Sequence, residues 1–439
     1  MFRPLALGIL MAVVLAGIAL RDWSAAAPAD VGSVAIETPA HTAEAGWPQL
    51  FGPQLNSVSA ERGLIADFPV AGPPVLWRRP LGTGYSAPVA VDDACYVLFR
   101  RGDEEVLACI GLAAGELIWE QTRPTRFVCK FERYSSGPYS TPVIDGDCIY
   151  TVGAEARLRC CDRRTGEPIW ERQLGEEFEP PPSLFGFGAG MLIDDERLYL
   201  NLGAAAKQAG VIALDKRDGA LLWQSTDYKS AYTTPRLIGA GDARRLLVLT
   251  QTGLVALDPR DGAERAFFEF HPRSVDTINA VTPVVASDLV LLVSGPGPGA
   301  VCLRLTPDDE WKTVWRNRRT LDSQFNAVVA HGGFVYGFTS SKQGGAELRC
   351  VELATGTIRW SHASDLDRGQ TLAADGKLLA LGEQGHLAMF ELNPHAAVVR
   401  AMSAEPLLAA PCFSQPALHR GRLLVRNERE LVCFDLRAK

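Results

Sequence analysis

Six aromatic residues recur at one position of a repeated unit and could together line a ligand site. The position lies three residues before a proline, or its equivalent, at the start of each unit, and eight copies run from residue 85 to residue 416. The aromatic copies are Tyr85, Tyr139, Phe187, Tyr232, Phe325 and Phe413. If the first strand of each unit is innermost, these side chains form an aromatic-rimmed funnel able to hold a peptide, a sugar or a quinone. The alternative, which we favour because aromatic residues are usually core, is that they wedge between adjacent units.

Charged residues cluster in the segments that join the units. The segment 122–137 carries Arg126, Lys130 and Arg133, while Arg273 and Arg318 lie in later joining segments. On the same face as the aromatic residues they could form a charged rim, since loops carry function more often than strands do. Charged loops are also commonly just solvated, and this interpretation is favoured here. No catalytic triad, carboxylate pair, phosphate loop or zinc pattern stands out, so we predict no catalytic residues and no metal site.

The elements that must position these residues are built on a recurring turn. Asp162 to Trp170 is typical: an aspartate begins a tight turn, Gly166 supplies a positive φ, and a tryptophan follows four residues later. Tryptophans in this series are Trp77, Trp119, Trp170, Trp223, Trp315 and Trp360. Ala266 stands where a further tryptophan is expected, and successive steps run from 42 to 53 residues. A period of this length is typical of propeller blades, and we predict that each tryptophan docks on the neighbouring blade.

Each unit contains four short alternating strands, which predicts an all-β fold with four-stranded antiparallel blades. The last unit ends one strand short at Lys439, whereas Val75-Leu76-Trp77 is a surplus strand near the start. Pairing these terminal strands completes the ring and removes two exposed sheet edges. The sequence therefore predicts an eight-bladed β-propeller closed by its N- and C-terminal strands.

The chain begins with features of an export signal. Arg3, an apolar run and Ala25-Ala26-Ala27 predict that residues 1–27 are a signal peptide, with an uncleaved anchor as the alternative because Pro28 follows directly. Residues 28–46 are predicted to be a flexible linker, and residues 47–439 the propeller. We expect an exported monomer in the periplasm or cell envelope that meets a membrane only through an uncleaved anchor. The net charge of −7 argues against a nucleic-acid partner.

Most of the ten cysteines fit the repeat rather than a disulfide framework. Cys109, Cys160, Cys350 and Cys433 share one strand position, where a small buried residue is suitable. The adjacent Cys160 and Cys161 could form a vicinal disulfide. The favoured interpretation is that Cys161 replaces the leucine found at this position in other units.

The repeated D-x-x-T/D-G-x-x-x-W unit resembles that of the PQQ-like propeller family, over about residues 47–437. The segment from Trp47 to Pro53 resembles the W-P-Q-x-R-G-P opening of exported bacterial members, with Phe51 in place of the arginine. The family includes quinoprotein alcohol dehydrogenases, with eight blades, and the outer-membrane assembly lipoprotein BamB. Resemblance to the dehydrogenases implies a vicinal disulfide, a stacking tryptophan and Glu, Asn and Asp ligands for calcium, but no such ligand set is assignable. Resemblance to BamB implies a lipidated cysteine, yet no cysteine precedes Cys95.

One fold can serve catalysis and scaffolding alike, so the resemblance leaves two functions open. The first is a binding or scaffold module of the bacterial envelope, without a cofactor, that contacts a protein or peptide through the loops between blades. The alternative is an oxidoreductase of alcohols or sugars that uses pyrroloquinoline quinone and calcium at a diverged site.

Overall fold

The computed structural model describes residues 46–131, 135–183, 185–272, 279–340, 345–363 and 365–439. They form eight four-stranded antiparallel blades, as predicted. The predicted signal segment 1–27 and nearly all of the predicted linker lie outside these residues. No helix among the described residues is long and apolar enough to cross a membrane.

The strands of blades 1 to 4 follow one another in chain order, from the innermost to the outermost. Blade 1 consists of Val89–Val91, Ala94–Arg101, Glu104–Gly111 and Leu117–Pro124. Blade 2 consists of Val143–Asp145, Cys148–Val152, Arg157–Asp162 and Pro168–Gln173. Blade 3 consists of Met191–Asp194, Arg197–Ala204, Ala209–Asp215 and Leu221–Ser225. Blade 4 consists of Arg236–Ile238, Arg245–Leu249, Gly253–Leu257 and Glu264–Glu269.

Blades 5 to 7 repeat this order, and blade 8 takes its outer strand from the N-terminal region. Blade 5 consists of Val284–Ala286, Leu289–Ser294, Gly299–Leu305 and Trp311–Asn317. Blade 6 consists of Val329–His331, Phe334–Phe338, Glu347–Glu352 and Ile358–Ala363. Blade 7 consists of Gly369–Ala374, Lys377–Gly382, Leu387–Glu391 and Val399–Met402, with Val58–Ser59 added in parallel at its inner edge. Blade 8 consists of Ala417–His419, Arg422–Arg426, Glu430–Asp435 and Val75–Pro80.

Short helical segments occur only between strands in the described part of the chain. An α-helix spans Leu174–Phe178, and 3-10 turns span Ala205–Lys207 and Gly241–Ala243. The ring closes as the sequence predicted, because Val75–Pro80 pairs antiparallel with Glu430–Asp435 and places Trp77 opposite Cys433. The terminal strands thus protect each other's edges.

The alternating strand directions give the ring two distinct faces. The segments between blades and the turns between second and third strands lie on one side, which we call the loop face. The remaining turns lie on the opposite side, which we call the turn face. In the turn at Asp162, the carboxylate accepts the main-chain N–H groups of Arg164 and Thr165, and Gly166 adopts a φ of 76°. This is the turn chemistry that the repeat predicted.

Six of the eight seams between blades share one tryptophan contact. In each, the indole N–H of the outer strand donates a hydrogen bond of 2.7–3.2 Å to a main-chain carbonyl in a turn of the next blade. The donors are Trp77, Trp119, Trp170, Trp223, Trp315 and Trp360. Five of these indoles lie against a glycine of that turn, whose φ is between 73° and 76°.

The two other seams lack this tryptophan. Ala266 occupies its position in blade 4, as the sequence indicated, and Ala401 occupies it in blade 7, where it pairs with Met389. The seam between blades 7 and 8 is covered by the N-terminal region, since Leu64 and Phe68 pack in the same core cluster as Ala401.

Residues 46–59 cross the turn-face end of the ring axis. Their main chain is hydrogen-bonded in turn to blades 1, 2, 4 and 7, through Ala90, Ile144, Arg236 and Ala373. The segment therefore forms a floor beneath the centre of the ring. Its sequence has no repeat that could have predicted this path.

All ten cysteines are free thiols. Cys160 packs in the core between blades 2 and 3, whereas Cys161 packs in the core between blades 1 and 2. Adjacent side chains on a strand point to opposite faces, so these two thiols are directed apart.

Candidate functional site

A cavity of about 430 Å³ lies on the ring axis above the floor segment. This size is within the roughly 300–1,000 Å³ range of small-molecule sites. Its wall combines aromatic rings with a few polar side chains. The lining side chains of interest are Leu50, Phe51, Tyr85, Tyr139, Thr141, Phe185, Tyr232, Ala280, Thr282, Gln324, Phe325, Arg368, Gln370, Phe413 and Gln415.

Five of the six predicted funnel aromatics meet around this cavity. The Tyr85 ring contacts Tyr139 at 5.1 Å and Phe413 at 5.3 Å between centroids, and Phe325 contacts Phe413 at 5.0 Å. Tyr232 lies 6.2 Å from Tyr139. These mostly edge-to-face pairs form an aromatic collar, which we define as these five residues, and such pairs stabilise each other beyond area burial.

Phe187, the sixth predicted member, lies elsewhere. Its side chain is buried in the core between blades 2 and 3. Phe185 lines the cavity in its place, 6.2 Å from both Tyr139 and Tyr232. Blade 3, like blades 6 and 7, begins without the entry proline, so its aromatic position was less well defined in the sequence.

Two tyrosines of the collar, Tyr139 and Tyr232, are fixed by hydrogen bonds and stay protonated. The Tyr139 hydroxyl donates to the carbonyl of Ser135 over 3.0 Å, and the Tyr232 hydroxyl donates to the carbonyl of Gly186 over 2.6 Å. Burial raises the pKa of Tyr232 to about 12 and also raises the pKa of Tyr139. Neither hydroxyl is therefore a base at neutral pH.

Arg368 is the one positively charged side chain among the described residues that line the cavity. Its guanidinium lies 5.2 Å from the Phe325 centroid and 5.9 Å from the Phe413 centroid, in cation–π geometry. It also donates to Gln324 and pairs with Glu383 at 2.7 Å. Burial raises the pKa of Glu383, although Arg368 opposes that shift. Arg368 was not predicted from the sequence, because the unit that follows it begins with Gly369 rather than an aromatic residue.

A polar band separates the collar from the floor. Gln370 accepts the N–H of Ala327 over 2.8 Å and donates to the carbonyl of Phe413 over 2.7 Å. This joins blades 6, 7 and 8 at the axis. Ser414 likewise donates to the carbonyl of Tyr85, which joins blades 8 and 1. The polar residues that follow the aromatic position thus hold the inner strands together.

The predicted charged rim is partly described. Arg126, Lys130 and Arg318 are exposed in segments of the loop face, and none forms an ion pair with a described residue. Arg133 and Arg273, the other predicted members, lie outside the described residues. Val128, between the first two, is 69% exposed. The described part of the rim therefore presents three exposed cationic side chains.

The cavity residues do not fit the quinone and calcium of the alternative function. Pyrroloquinoline quinone carries several carboxylates, yet the described lining residues supply one cation, Arg368, which Glu383 and two ring faces already engage. In the described part of the chain, no group of three or more His, Cys, Asp or Glu residues is placed to hold a metal ion. We therefore derive no redox step for this site.

Comparison with known proteins is consistent with the repeat. The sequence model of the family described as outer membrane protein assembly factor BamB matches residues 103–362, more than half of the chain. The chain belongs to this BamB family. The BamB of Burkholderia pseudomallei is 27% identical over 230 residues, which cover 51% of this chain and 55% of that protein. The chain spans only about half, or less, of the curated relatives that it matches.

Solved structures from this family and beyond it share the fold. BamB from Moraxella catarrhalis superposes with a TM-score of 0.59 at 16% identity, over 83% of this chain and all of that chain. The quinohemoprotein alcohol dehydrogenase of Comamonas testosteroni gives 0.61 at 13% identity, over 91% of this chain and 82% of that chain. At such identities the likeness shows the fold alone.

Proposed function

We propose that this protein is a non-catalytic scaffold of the bacterial cell envelope that holds a protein partner on its loop face. Membership of the BamB family supports a role in outer membrane protein assembly, as the family's name indicates. The export signal predicted in residues 1–27 is consistent with this location. The chain spans about half of the length of its curated relatives. That it binds a partner of the same kind as theirs is therefore part of the proposal.

The observation that carries the proposal is the contrast between the two faces. The turn face is engaged in internal contacts, since six indoles donate to its turns and residues 46–59 cross its centre. The loop face instead presents the aromatic collar and an exposed rim with Arg126, Val128 and Lys130. Aromatic and arginine side chains are enriched where proteins bind one another.

Site-specific photocrosslinking tests this proposal in the producing cell. A photoreactive residue replaces Val128 on the loop face or, as the matched control, Val399 at the start of the blade 7 outer strand, which is 40% exposed. We expect a covalent adduct with an envelope protein from position 128 and none from position 399. The charge reversal Lys130→Glu should reduce the yield at position 128.

Two results would contradict the proposal. Equal adducts from both positions would mean that the loop face is not the contact surface. The lack of any adduct at position 128, with the protein folded and exported, would mean that this face holds no partner.

A further inference from the structure

We infer that the axial cavity binds a neutral saccharide unit, either a monosaccharide or one disaccharide. A scaffold that works through its loop face needs no small ligand, so this inference goes beyond the proposed function. It depends on three observations: an acceptor with no partner among the described residues, two hydroxyl groups able to donate, and aromatic walls whose one described charge is paired.

The first observation concerns Gln415, which lines the cavity and is only 4% exposed. Its Nε2 donates to the carbonyl of Thr371 over 2.8 Å and to the hydroxyl of Ser57 over 3.4 Å, which fixes the orientation of the amide. Its Oε1 is buried and has no hydrogen-bond partner among the described residues. A buried acceptor of this kind carries a desolvation cost if it stays unpaired. A ligand donor would remove that cost.

The second observation concerns Thr141 and Thr282, on other sides of the cavity. Each hydroxyl oxygen accepts a main-chain N–H over 3.0 Å, from Ala87 and Thr234 respectively. With its oxygen used in this way, each hydroxyl still has a proton to donate. The band around the axis thus offers both donors and an acceptor, which is what a ring of sugar hydroxyls requires because each hydroxyl can do both.

The third observation is the character of the walls. The collar and Phe51 present ring faces and edges to the cavity, which suits the flat apolar faces of a pyranose. The Arg368 charge is balanced by Glu383 and covered by two rings, so an anionic ligand would have to displace that carboxylate. A cationic ligand would meet Arg368 as a like charge. The cavity therefore favours a neutral ligand.

The occupant must enter from the loop face, because residues 46–59 close the other end. Ala280 marks a gap in the wall, since it holds the position at which six of the eight blades carry an aromatic residue. A bulky side chain at this position would fill the cavity from a site that makes no hydrogen bond through its side chain. This gives a blocking variant that leaves the polar band intact.

Ligand binding by the purified full-length protein tests the inference. Maltose, cellobiose and N,N′-diacetylchitobiose are titrated, with saturation-transfer-difference NMR to detect binding and calorimetry to measure affinity. We expect saturable one-site binding of at least one disaccharide. Ala280→Trp and the apolar near-isostere Gln415→Met should each weaken it at least tenfold, whereas Ala396→Trp on the exposed turn face should leave it unchanged.

Three results would overturn the inference. If none of the three sugars shows saturable binding, the Oε1 of Gln415 has water and not a saccharide as its donor, and the inference is wrong. Binding that survives either Ala280→Trp or Gln415→Met in a folded variant would place the sugar elsewhere on the protein. Saturable binding of a neutral aromatic tripeptide amide, without binding of any of the three sugars, would identify the cavity as a peptide site. Cooperative unfolding of each variant shows that a lost signal reflects the cavity, and either variant alone can decide.

Discussion

Blade 4 is held to its two neighbours by different chemistry. On the blade 3 side, the Trp223 indole donates to the carbonyl of Pro259 over 3.1 Å and lies against Gly262. On the blade 5 side, Ala266 holds the tryptophan position, and the facing turn carries Asp309 at a φ of 60° instead of a glycine. Tryptophan and glycine are therefore lost together at this seam.

The blade 5 side compensates with a charged pair and a different indole. Arg245 donates to both carboxylate oxygens of Asp309, over 2.7 and 2.8 Å, and the two side chains are 11% and 21% exposed. Trp311, from blade 5, packs against the cluster that contains Ala266. Its indole nitrogen has no hydrogen-bond partner among the described residues, unlike those of the six seam tryptophans.

Ring closure therefore requires every seam to be filled but does not require the same chemistry at each seam. An indole over a glycine buries a large apolar area and also satisfies a turn carbonyl. A bidentate arginine–carboxylate pair is specific in geometry, but the cost of removing both charges from water offsets much of its attraction. We therefore expect the tryptophan seam to contribute more to the free energy of unfolding.

The largest effect is expected for Trp223→Ala, because the side chain is 8% exposed and its loss leaves a cavity at the seam. Such truncations cost about 3–5 kcal/mol. Urea denaturation followed by circular dichroism measures the loss, with Trp223→Phe as the milder control. A loss of unfolding free energy smaller than the coupling between Arg245 and Asp309 at the blade 5 seam would contradict this ranking of the two sides.

Gly262→Ala should be the next most damaging change. A Cβ at this position would lie 2.5–2.9 Å from three atoms of the Trp223 ring, and the φ is +75°. Positive φ and overpacking together cost about 2–3 kcal/mol. Gly376→Ala is the matched control, since its φ is +70° but no atom lies within 4 Å of a Cβ there. Equal losses for the two variants would show that the indole contact contributes nothing.

A smaller effect is expected from the charged pair on the other side of blade 4. A double-mutant cycle of Arg245→Ala and Asp309→Ala should give a coupling of about 1–2 kcal/mol, as for hydrogen bonds between charged groups. The control cycle uses Arg260 and Asp242, an exposed pair in the same blade, for which we expect no measurable coupling. A coupling larger than the free energy of unfolding lost in Trp223→Ala would show that the blade 5 seam contributes more than the tryptophan seam.

The repeat made the fold predictable, whereas the site depends on contacts that do not repeat. Each blade carries its own turn and alternating strands, so local signals predicted eight blades and the closing strand at Val75. The floor segment could not be predicted, because its contacts join residue 47 to residue 90 and residue 57 to residue 373 without any period. Gln415 did carry a signal, since it occupies the same position before a proline as Thr141 and Thr282.

Loop geometry explains the remaining difference at the site. Phe185, and not Phe187, reaches the cavity, and it does so from the connection before blade 3, which also includes the helix Leu174–Phe178. Arg368 reaches the collar from a connection whose sequence pattern gives no direction to its side chain. Strand periodicity determines only which face a side chain takes within a blade.

The smallest expected effect concerns the pH dependence of the tryptophan seam. Asp258 begins the turn that receives Trp223, and hydrogen bonds from Arg260 hold its pKa well below the usual value for aspartate. A lowered folded-state pKa means that the unfolded chain binds the proton more tightly, so this carboxylate stabilises the fold at neutral pH. The stabilisation is lost as pH falls below about 4, the value for an unfolded aspartate, towards the folded-state pKa.

Asp258→Asn should therefore destabilise the protein equally at pH 8 and pH 5, and the difference from the wild type should shrink below pH 4. Asp261→Asn in the same turn is the control, since its carboxylate accepts a main-chain bond from Ala263 and no arginine bond among the described residues. A constant difference down to pH 2 would show that Asp258 acts through its shape alone, and the tryptophan seam would then be insensitive to charge.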